Sequence, residues 1–396
     1  MISIDYVLRR GVVEIIVEAE LRQLLAKGKP LRLKQGFDPS RPDIHLGHVV
    51  GLRKLRQFQE MGHHVVLIVG DWTAQIGDPS GQSLTRPMLS HEEVKANAQS
   101  YMEQFFRVVD EGKTEVRWQS EWYGKFNLAE VIRLTSRFTV AQLLAREDFD
   151  SRMKSGRPIA VTELLYPLLQ AYDSVVIQAD VEFGGVDQKF NCLVGRELQV
   201  MTGQRPQQVF LMPLLVGTDG RHKMSKSLDN YVGIAEPPGE MYGKIMSIPD
   251  ELIFSYLELL TDVSEEEMGQ FRGAMALREI NPMEVKKRLA GEIVAQFHGG
   301  KVAQKAQKEF EQVFQKRSLP QEVPVVVVGE GVNDLVSLLM AAKLVASRSE
   351  AKRQIAQGAV EVDGKKVTSE SWPVTGLAPG SIVRVGKRRF AQIRFS

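Results

Sequence analysis

Short apolar runs alternate with helical patterns between residues 31 and about 235. Residues 31–37 (LRLKQGF) predict a strand, residues 45–62 predict an amphipathic helix, and residues 63–71 (HHVVLIVGD) predict a second strand. This order is typical of a parallel sheet, because two parallel strands need a crossover connection. The pattern therefore predicts a doubly wound α/β domain.

The alternation continues downstream of these first elements. Further strands are predicted at 114–118, 181–185 and 207–216, and further helices at 90–110, 126–138, 162–175 and 187–203. We place the end of this Rossmann-like domain at residue 236 and expect an inserted segment at about 125–165 within it.

The remainder divides into three parts. Residues 237–318 carry only helical patterns and predict an α-helical domain, and residues 319–333, with two prolines and two glycines, predict a linker with one short extended piece. Residues 334–396 predict a small α+β domain. Within it, residues 347–367 indicate a basic helix, a glycine turn and a β-hairpin with an Asp-Gly corner.

The charge of the chain is unevenly distributed. The net charge is +2, but residues 333–396 contain eleven Lys or Arg and five Asp or Glu, a net charge of +6, so the rest carries −4. A basic terminal domain favours contact with RNA or DNA. A solvated basic face or an oligomerisation domain is the alternative.

Composition excludes several classes of protein. With 43% hydrophobic residues the chain resembles an ordinary globular protein, and no uninterrupted run of about 18 apolar residues predicts a membrane span. The N-terminus lacks a signal-peptide pattern. Cys192 is the only cysteine, which excludes an intramolecular disulfide and a cysteine-rich metal site. We therefore expect a cytoplasmic protein.

The segment PDIHLGHVVG places two of the seven histidines three residues apart. With Asp43 as the expected N-cap, His45 and His48 fall in the first turns of one helix, where free N–H groups favour anions. Gly47 leaves room for a planar ligand. Two alternatives stay open from this segment alone, a zinc-binding pair and buried core histidines.

A second segment, GTDGRHKMSKSLDN, follows a predicted strand at residues 217–230. Lys223 and Lys226 lie three residues apart among small polar residues. Ammonium groups on a loop suit a polyphosphate that must be held and then released. An exposed basic loop is the alternative.

HLGH and KMSKS together resemble the two signature motifs of class I aminoacyl-tRNA synthetases. The resemblance implies ATP-dependent activation of an amino acid to an aminoacyl-adenylate with release of pyrophosphate, followed by transfer to a tRNA ribose. His45, His48, Lys223 and Lys226 would be the catalytic residues. Mg²⁺ would arrive with ATP, and no tightly bound metal is expected.

Four further segments resemble the tyrosyl-tRNA synthetase branch of that class. They are GFDPS, IGDPSG, YPLLQAYD and GGVDQKFN, at residues 36–40, 76–81, 166–173 and 184–191. On the helix of the third segment, Tyr166, Gln170 and Asp173 share one face. A half-exposed amphipathic helix is the alternative for that segment.

The resemblance assigns ligands residue by residue. Tyrosine would contact Lys34, Asp78, Tyr166, Gln170 and Asp173. ATP would contact Gly36, Asp38, Ser40, Gly47, Gly184, Gly185, Asp187, Gln188 and Met224. The tRNA would contact Arg86, Arg348, Lys352 and Arg353, the last three in a tail similar to an RNA-binding module of a ribosomal small-subunit protein. The family also implies a homodimer with its interface at about residues 125–165.

Three residues depart from the better-known pattern of this family. Lys34 stands where a tyrosine that shares the phenol oxygen of the substrate is common, and its ammonium can still donate to that oxygen. Glu182 stands where a glutamine is expected, and Gln82 stands where a basic residue often follows GDPSG. Three rival functions are weighed: a tryptophanyl-tRNA synthetase, another nucleotidyltransferase with an HxGH motif, and a synthetase-like RNA-binding protein without catalysis. Asp173, the RNA-binding tail and the intact histidines and lysines disfavour them.

Overall fold

The computed structural model describes residues 3–39, 43–79, 91–314, 324–329, 332, 334–370, 372–374, 377–378, 380–386 and 389–395. Ser40, Gln82 and Arg86 lie outside the described residues. The chain forms two compact units, one of Met1–Glu236 with Ser247–Leu289 and one of Pro237–Met246 with Ala290–Ser396. Helices of the predicted α-helical segment therefore occur in both units, and the predicted four-part division stays a prediction.

The first unit is built on a twisted sheet of six strands among the described residues. They are β1 (Glu14–Ile16), β2 (Arg32–Phe37), β3 (His64–Val69), β4 (Thr114–Trp118), β5 (Val181–Gly185) and β6 (Gln208–Met212). Their spatial order is β1-β6-β5-β2-β3-β4, and all pairs are parallel except β1 with β6. The predicted doubly wound α/β fold is confirmed.

Helices connect these strands and extend the unit. Those before β5 are α1 (Ile4–Arg9), α2 (Glu18–Ala26), α3 (Leu46–Glu60), α4 (Thr73–Ile76), α5 (His91–Phe105), α6 (Ser120–Tyr123), α7 (Leu128–Thr135), α8 (Val140–Leu144), α9 (Glu147–Lys154) and α10 (Val161–Ile177). Those after it in this unit are α11 (Lys189–Met201), α13 (Ile253–Leu260) and α14 (Glu265–Ala276). Two helices, α12 (Pro238–Met246) and α16 (Gly300–Phe314), belong to the second unit, and α15 (Pro282–His298) runs from the first unit into the second.

The core explains why β3 is a continuous apolar run. Val65, Val66 and Leu67 on β3 are fully buried, as expected for a parallel strand covered on both faces. Phe58 of α3 packs edge-to-face against Phe183 of β5, with ring centroids 5.3 Å apart. These contacts fix α3 against the sheet and so place the histidines at its N-terminus.

The start of α3 differs from the prediction. Asp43 was expected to be the N-cap, but the N-cap is His45, whose backbone is extended at φ −121° and ψ 169°. The segment at residues 232–234 holds the chain extended up to that point, because Leu46 N–H donates to Val232 O at 2.9 Å and Ile234 N–H donates to Ile44 O at 3.0 Å. The helix therefore begins two residues later.

The second unit contains the C-terminal sheet. Its strands are β7 (Val325–Val328), β8 (Val360–Val362), β9 (Lys365–Val367), β10 (Ile382–Val385) and β11 (Arg389–Phe395), and its helices include α17 (Leu335–Ala341) and α18 (Arg348–Ala356). The hairpin β8–β9 turns at Asp363 and Gly364, with φ of 47° and 78°. Two positive φ values identify the turn predicted from Asp-Gly, so this hairpin is confirmed.

Among the described residues, no helix combines the length and the apolar character that a membrane span requires.

Candidate active site

Two adjoining cavities open at the carboxyl ends of the parallel strands in the first unit. The outer cavity has a volume of about 360 Å³ and is lined by His45, Gly47 and Met224 among others. The inner cavity has a volume of about 510 Å³. Both cavities are lined by Gln35, His48, Tyr101, Gly184, Gly185, Asp187, Gln188 and Lys223. A ligand that spans both would pass this shared wall.

The two histidines at the start of α3 hold each other in place. Nδ1 of His45 accepts from the N–H of Gly47, and Nδ1 of His48 accepts from the N–H of His45, both at 3.2 Å. Their rings stack with centroids 3.9 Å apart. A neutral imidazole whose Nδ1 accepts carries its proton on Nε2. Each ring therefore retains one N–H that it can donate to a ligand.

Both imidazoles are neutral at physiological pH. Burial, with a smaller contribution from the charge of Lys226, lowers the pKa of His48 to about 4. Burial also lowers the pKa of His45 well below its ordinary value, with His48 and Lys226 adding to the effect. The pair thus offers hydrogen-bond donors without fixed positive charge.

Gly47 lies between the histidines. A Cβ at this position would come within 3.0 Å of the His45 ring and 3.5 Å of Cβ of Met224. Any side chain here would push on the ring of His45 or on Met224, so glycine preserves the geometry of the pair.

The segment at residues 217–230, which carries Lys223 and Lys226, lies beside the N-terminus of α3. Nζ of Lys223 is 3.0 Å from Oδ2 of Asp187, at the wall shared by the cavities. Nζ of Lys226 donates to the main-chain oxygen of Asp43 at 2.6 Å and lies close enough to depress the pKa of both histidines. Lys226 lines neither cavity, whereas Lys223 lines both.

A carboxylate cluster lies in the wall of the inner cavity. Asp38 accepts hydrogen bonds from Oγ1 of Thr73 at 2.6 Å and from the hydroxyl of Tyr166 at 2.9 Å. Burial and the neighbouring charges of Asp78 and Asp173 raise the pKa of Asp38 to about 7. The cluster favours a positively charged ligand.

Asp173 on α10 also lines the inner cavity and is 2% exposed. Its Oδ2 accepts from Nε2 of Gln119 at 2.8 Å, and its Oδ1 accepts from Nε1 of Trp122 at 3.1 Å. Burial raises the pKa of Asp173 to about 7, although Lys34 acts in the opposite direction. Because a carboxylate can accept about four hydrogen bonds, room for a ligand donor remains.

Comparison with known proteins identifies the family. A family model described as tRNA synthetases class I (W and Y) matches residues 26–315, and a model described as the S4 domain matches residues 335–378. A tyrosine–tRNA ligase of Dehalococcoides mccartyi (strain CBDB1) is 58% identical, covering 98% of this chain and 98% of its own length. The chain belongs to the tyrosyl-tRNA synthetase family.

Further relatives agree with this membership. A tyrosine–tRNA ligase of Thermotoga maritima is 52% identical over 98% of this chain and 96% of its own length. A truncated mitochondrial tyrosyl-tRNA synthetase of Aspergillus nidulans shares the fold with a TM-score of 0.65, at 22% identity over 78% of this chain and 93% of that chain. The predicted enzyme class and function, tyrosine–tRNA ligase, are confirmed, and the tryptophan-specific and non-catalytic alternatives are set aside.

In this tyrosyl-tRNA synthetase, the ligand residues predicted from the sequence converge on the two cavities. The described residues predicted to bind tyrosine all line the inner cavity, as do Gly36 and Asp38, whereas Gly47 and Met224 line the outer one. Around Gly36 a Cβ would meet nothing within 4 Å, which leaves open space beside this backbone.

Several residues of this site were not found by sequence reasoning. They are Thr73, Gln119, Trp122, Arg146 and Asn191. Thr73 and Gln119 connect Asp38 to Asp173. Oγ1 of Thr73 bonds both Asp38 and Oε1 of Gln119, and Nε2 of Gln119 donates to Asp173. One available signal is that Gln119 and Trp122 follow directly after β4, at the sheet edge where ligands bind in this fold.

Arg146 belongs to the inserted segment but supports the site. It is 4% exposed, donates to Oδ1 of Asn191 at 3.1 Å and lies 3.7 Å from Asp78. Asn191 donates to Gln188 at 2.9 Å, and Gln188 donates to Asp78 at 2.7 Å. These contacts form a closed ring that fixes Asp78, and only the folded chain brings its members together.

The basic residues of the tail lie on α18 of the second unit. Arg348, Lys352 and Arg353 are exposed, whereas Ala351 and Ile355 on the other side of the helix are fully buried. Lys352 forms an exposed ion pair with Glu370 at 3.1 Å. The three cations therefore share the solvent-facing side of the helix.

Proposed function

We propose that the inner cavity binds tyrosine and that the outer cavity binds ATP, so that the substrate carboxylate meets the α-phosphate at their shared wall. The observation that carries the proposal is this wall, where His48, Asp187, Gln188 and Lys223 face both cavities. Tyrosyl-adenylate and pyrophosphate form there. The acyl group is then transferred to the terminal ribose of tRNA(Tyr).

The tyrosine ammonium lies among Asp78, Tyr166 and Gln170 in this proposal. The hydroxyl proton of Tyr166 is donated to Asp38, so its oxygen is left to accept from the ammonium. At the phenol group of the substrate, the carboxylate of Asp173 accepts a hydrogen bond from the hydroxyl, while Gln119 and Trp122 hold this carboxylate in place. A site that forms hydrogen bonds to a substrate hydroxyl rejects the analogue that lacks this hydroxyl.

The reacting phosphate is stabilised by neutral donors and by mobile cations. His45 and His48 donate from Nε2 to the α-phosphate region as its negative charge grows. Lys223 and Lys226 exchange their present partners, Asp187 and Asp43, for the outer phosphates. Asp187, Gln188 and the glycine-lined wall hold the ribose.

We propose that the Mg²⁺ needed for the reaction arrives bound to ATP. Among the described residues, no group of three His, Cys, Asp or Glu side chains is arranged to hold a metal ion. In this proposal Mg²⁺ enters with ATP as a counter-ion of its phosphates. A cytoplasmic location, where ATP and tRNA are both available, is part of the proposal.

Tyrosine is expected to bind more tightly as the pH rises. The pKa of Asp38 is about 7 in the free protein, so the carboxyl is protonated below that pH. The ammonium favours the ionised form of Asp38, and the phenol favours the ionised form of Asp173, whose pKa is also about 7. Binding therefore releases protons, and the Kd should fall at least about tenfold between pH 6 and pH 8. Calorimetry at both pH values, in buffers of different ionisation enthalpy, measures the affinity and the released protons.

Asp38→Asn should reduce this pH dependence to the part that Asp173 contributes, and Asp262→Asn at an exposed position is the matched control. An unchanged slope in Asp38→Asn would show that another group carries the linkage.

Removing the basic face of α18 should separate the two half-reactions. Arg348→Ala/Lys352→Ala/Arg353→Ala is expected to raise the KM for tRNA(Tyr) about tenfold, because phosphate contacts are lost, and to reduce the salt dependence of charging. Adenylate formation should be unchanged. Pyrophosphate exchange and tRNA charging measure the two steps, with Lys27→Ala/Lys29→Ala as the control. An equal loss in both steps would point to a structural role instead.

A second copy of the chain is the proposed partner of the inserted segment. Five apolar side chains there are more than half exposed, namely Leu128, Ile132, Val140, Met153 and Val161. They lie in the segment that also borders an apolar cavity of about 290 Å³ lined by Trp72, Phe126 and Leu165. A homodimer would remove this apolar surface from water.

Ile132→Asp/Val161→Asp is expected to convert the dimer into a monomer of 44.4 kDa in light scattering. Leu277→Asp, at an apolar side chain that is 71% exposed outside the segment, should leave the mass unchanged. A wild-type mass of one chain would refute the dimer.

A further inference from the structure

Two of the three residues that depart from the family pattern contact each other. Lys34 and Glu182 lie directly opposite on the parallel strands β2 and β5. Nζ of Lys34 is 2.8 Å from Oε1 of Glu182, and the two side chains are 0% and 2% exposed. They form a buried ion pair in the wall of the inner cavity.

The ammonium of Lys34 has three N–H groups, and each has a partner within the protein. Besides Glu182, Nζ donates to the main-chain oxygen of Gln170 at 2.6 Å and to Oγ of Ser174 at 2.7 Å. A direct bond to the tyrosine phenol, as predicted from the sequence, would break one of these contacts. The geometry favours an indirect role.

Glu182 contacts the side-chain amide of Gln170, whereas Lys34 contacts the main-chain oxygen of the same residue. Its Oε1 accepts from Nε2 of Gln170 at 3.0 Å, and its Oε2 accepts from Oγ of Ser174 at 3.3 Å and from Nε2 of Gln207. An ionised carboxylate can only accept. The amide of Gln170 must therefore turn its Nε2 toward Glu182, which leaves its Oε1 for another donor.

We propose that Lys34 and Glu182 are a positioning pair that fixes the amide of Gln170 with its oxygen toward the tyrosine ammonium. Glu182 sets the orientation of the amide, and Lys34 keeps Glu182 in place while holding the main-chain oxygen of Gln170. A neutral glutamine at position 182 could accept or donate and would not select one orientation. The inference rests on the proposed placement of tyrosine.

The test compares L-tyrosine with 3-(4-hydroxyphenyl)propionate, which lacks the amino group. In Lys34→Met/Glu182→Met, no buried charge is left without a partner. The Kd for tyrosine should rise about tenfold, because one hydrogen bond to a charged group is weakened. The Kd for the analogue should stay within about twofold, and the kcat of pyrophosphate exchange should change little.

Two further variants exclude a structural explanation. In Gln170→Leu, the same double replacement should have no additional effect on the tyrosine Kd, because the acceptor is already gone. Lys54→Met, at a buried lysine that lines neither cavity, controls for the loss of a buried ammonium. If the double variant does not fold, Glu182→Gln replaces it, with the same selective loss of tyrosine affinity expected.

The outcomes separate this inference from the proposed site. Wild-type protein that binds tyrosine and the analogue equally would refute the ammonium site and the positioning role with it. Wild-type protein that prefers tyrosine, with variants that prefer it equally, would refute the positioning role alone. A similar loss of both ligands in the variants would also overturn it, since that indicates general damage to the cavity.

Discussion

Asp173→Ala is expected to lower kcat/KM for tyrosine by about 10³-fold or more while changing kcat/KM for phenylalanine little. Asp173 is proposed to accept a hydrogen bond from the substrate phenol. Without its carboxylate, the buried N–H groups of Gln119 and Trp122 that donate to it would be left unpaired beside the substrate. Strong rejection of phenylalanine is already known for enzymes of this family. The expected loss is therefore one of discrimination.

Pyrophosphate exchange with tyrosine and with phenylalanine measures this directly. Asp173→Asn preserves the shape of the side chain and should show a smaller effect in the same direction, which keeps the test valid if the alanine variant is unstable. Glu115→Ala, at a half-exposed carboxylate on β4, is the control. Equal losses for the two amino acids would mean that Asp173 supports the fold and does not read the phenol.

His48→Ala is expected to slow adenylate formation by about 10²- to 10³-fold, the usual cost of losing one donor to a growing negative charge. Tyrosine affinity should stay near normal, because the ring is proposed to donate to the α-phosphate of ATP and not to tyrosine. Single-turnover formation of tyrosyl-adenylate gives the rate, and calorimetry gives the affinity.

His64→Ala, at an exposed histidine at the start of β3, is the matched control and should behave as wild type. A large loss of tyrosine affinity in His48→Ala, with a normal rate at saturation, would contradict the proposed role of this donor.

Much of the first unit follows from local patterns. The strand β3 is a continuous apolar run, and β2, β4 and β5 are short segments that alternate with helical patterns, so their positions were predictable. β1 was not predicted, because three residues are too few for a periodic signal and its place depends on pairing with β6. The N-cap was placed at Asp43 because the sequence does not show that residues 232–234 hold the preceding chain extended.

The site divides in the same way. Motifs give the residue types at the ends of the strands, so His48, Lys223 and Asp173 were found from the sequence. The partners that hold the site residues, such as Gln119 for Asp173 and Arg146 for Asp78, are far away along the chain, and only the folded structure shows them. Lys34 and Glu182 each looked like a separate departure from the family until the strand register placed them opposite one another.

This chain is expected to activate tyrosine, and no other amino acid, at the expense of ATP. Exchange of labelled pyrophosphate into ATP is followed with each of the twenty amino acids in turn. The structure and the family predict exchange with tyrosine alone. Exchange with tryptophan alone, or with none of the twenty, would contradict the account.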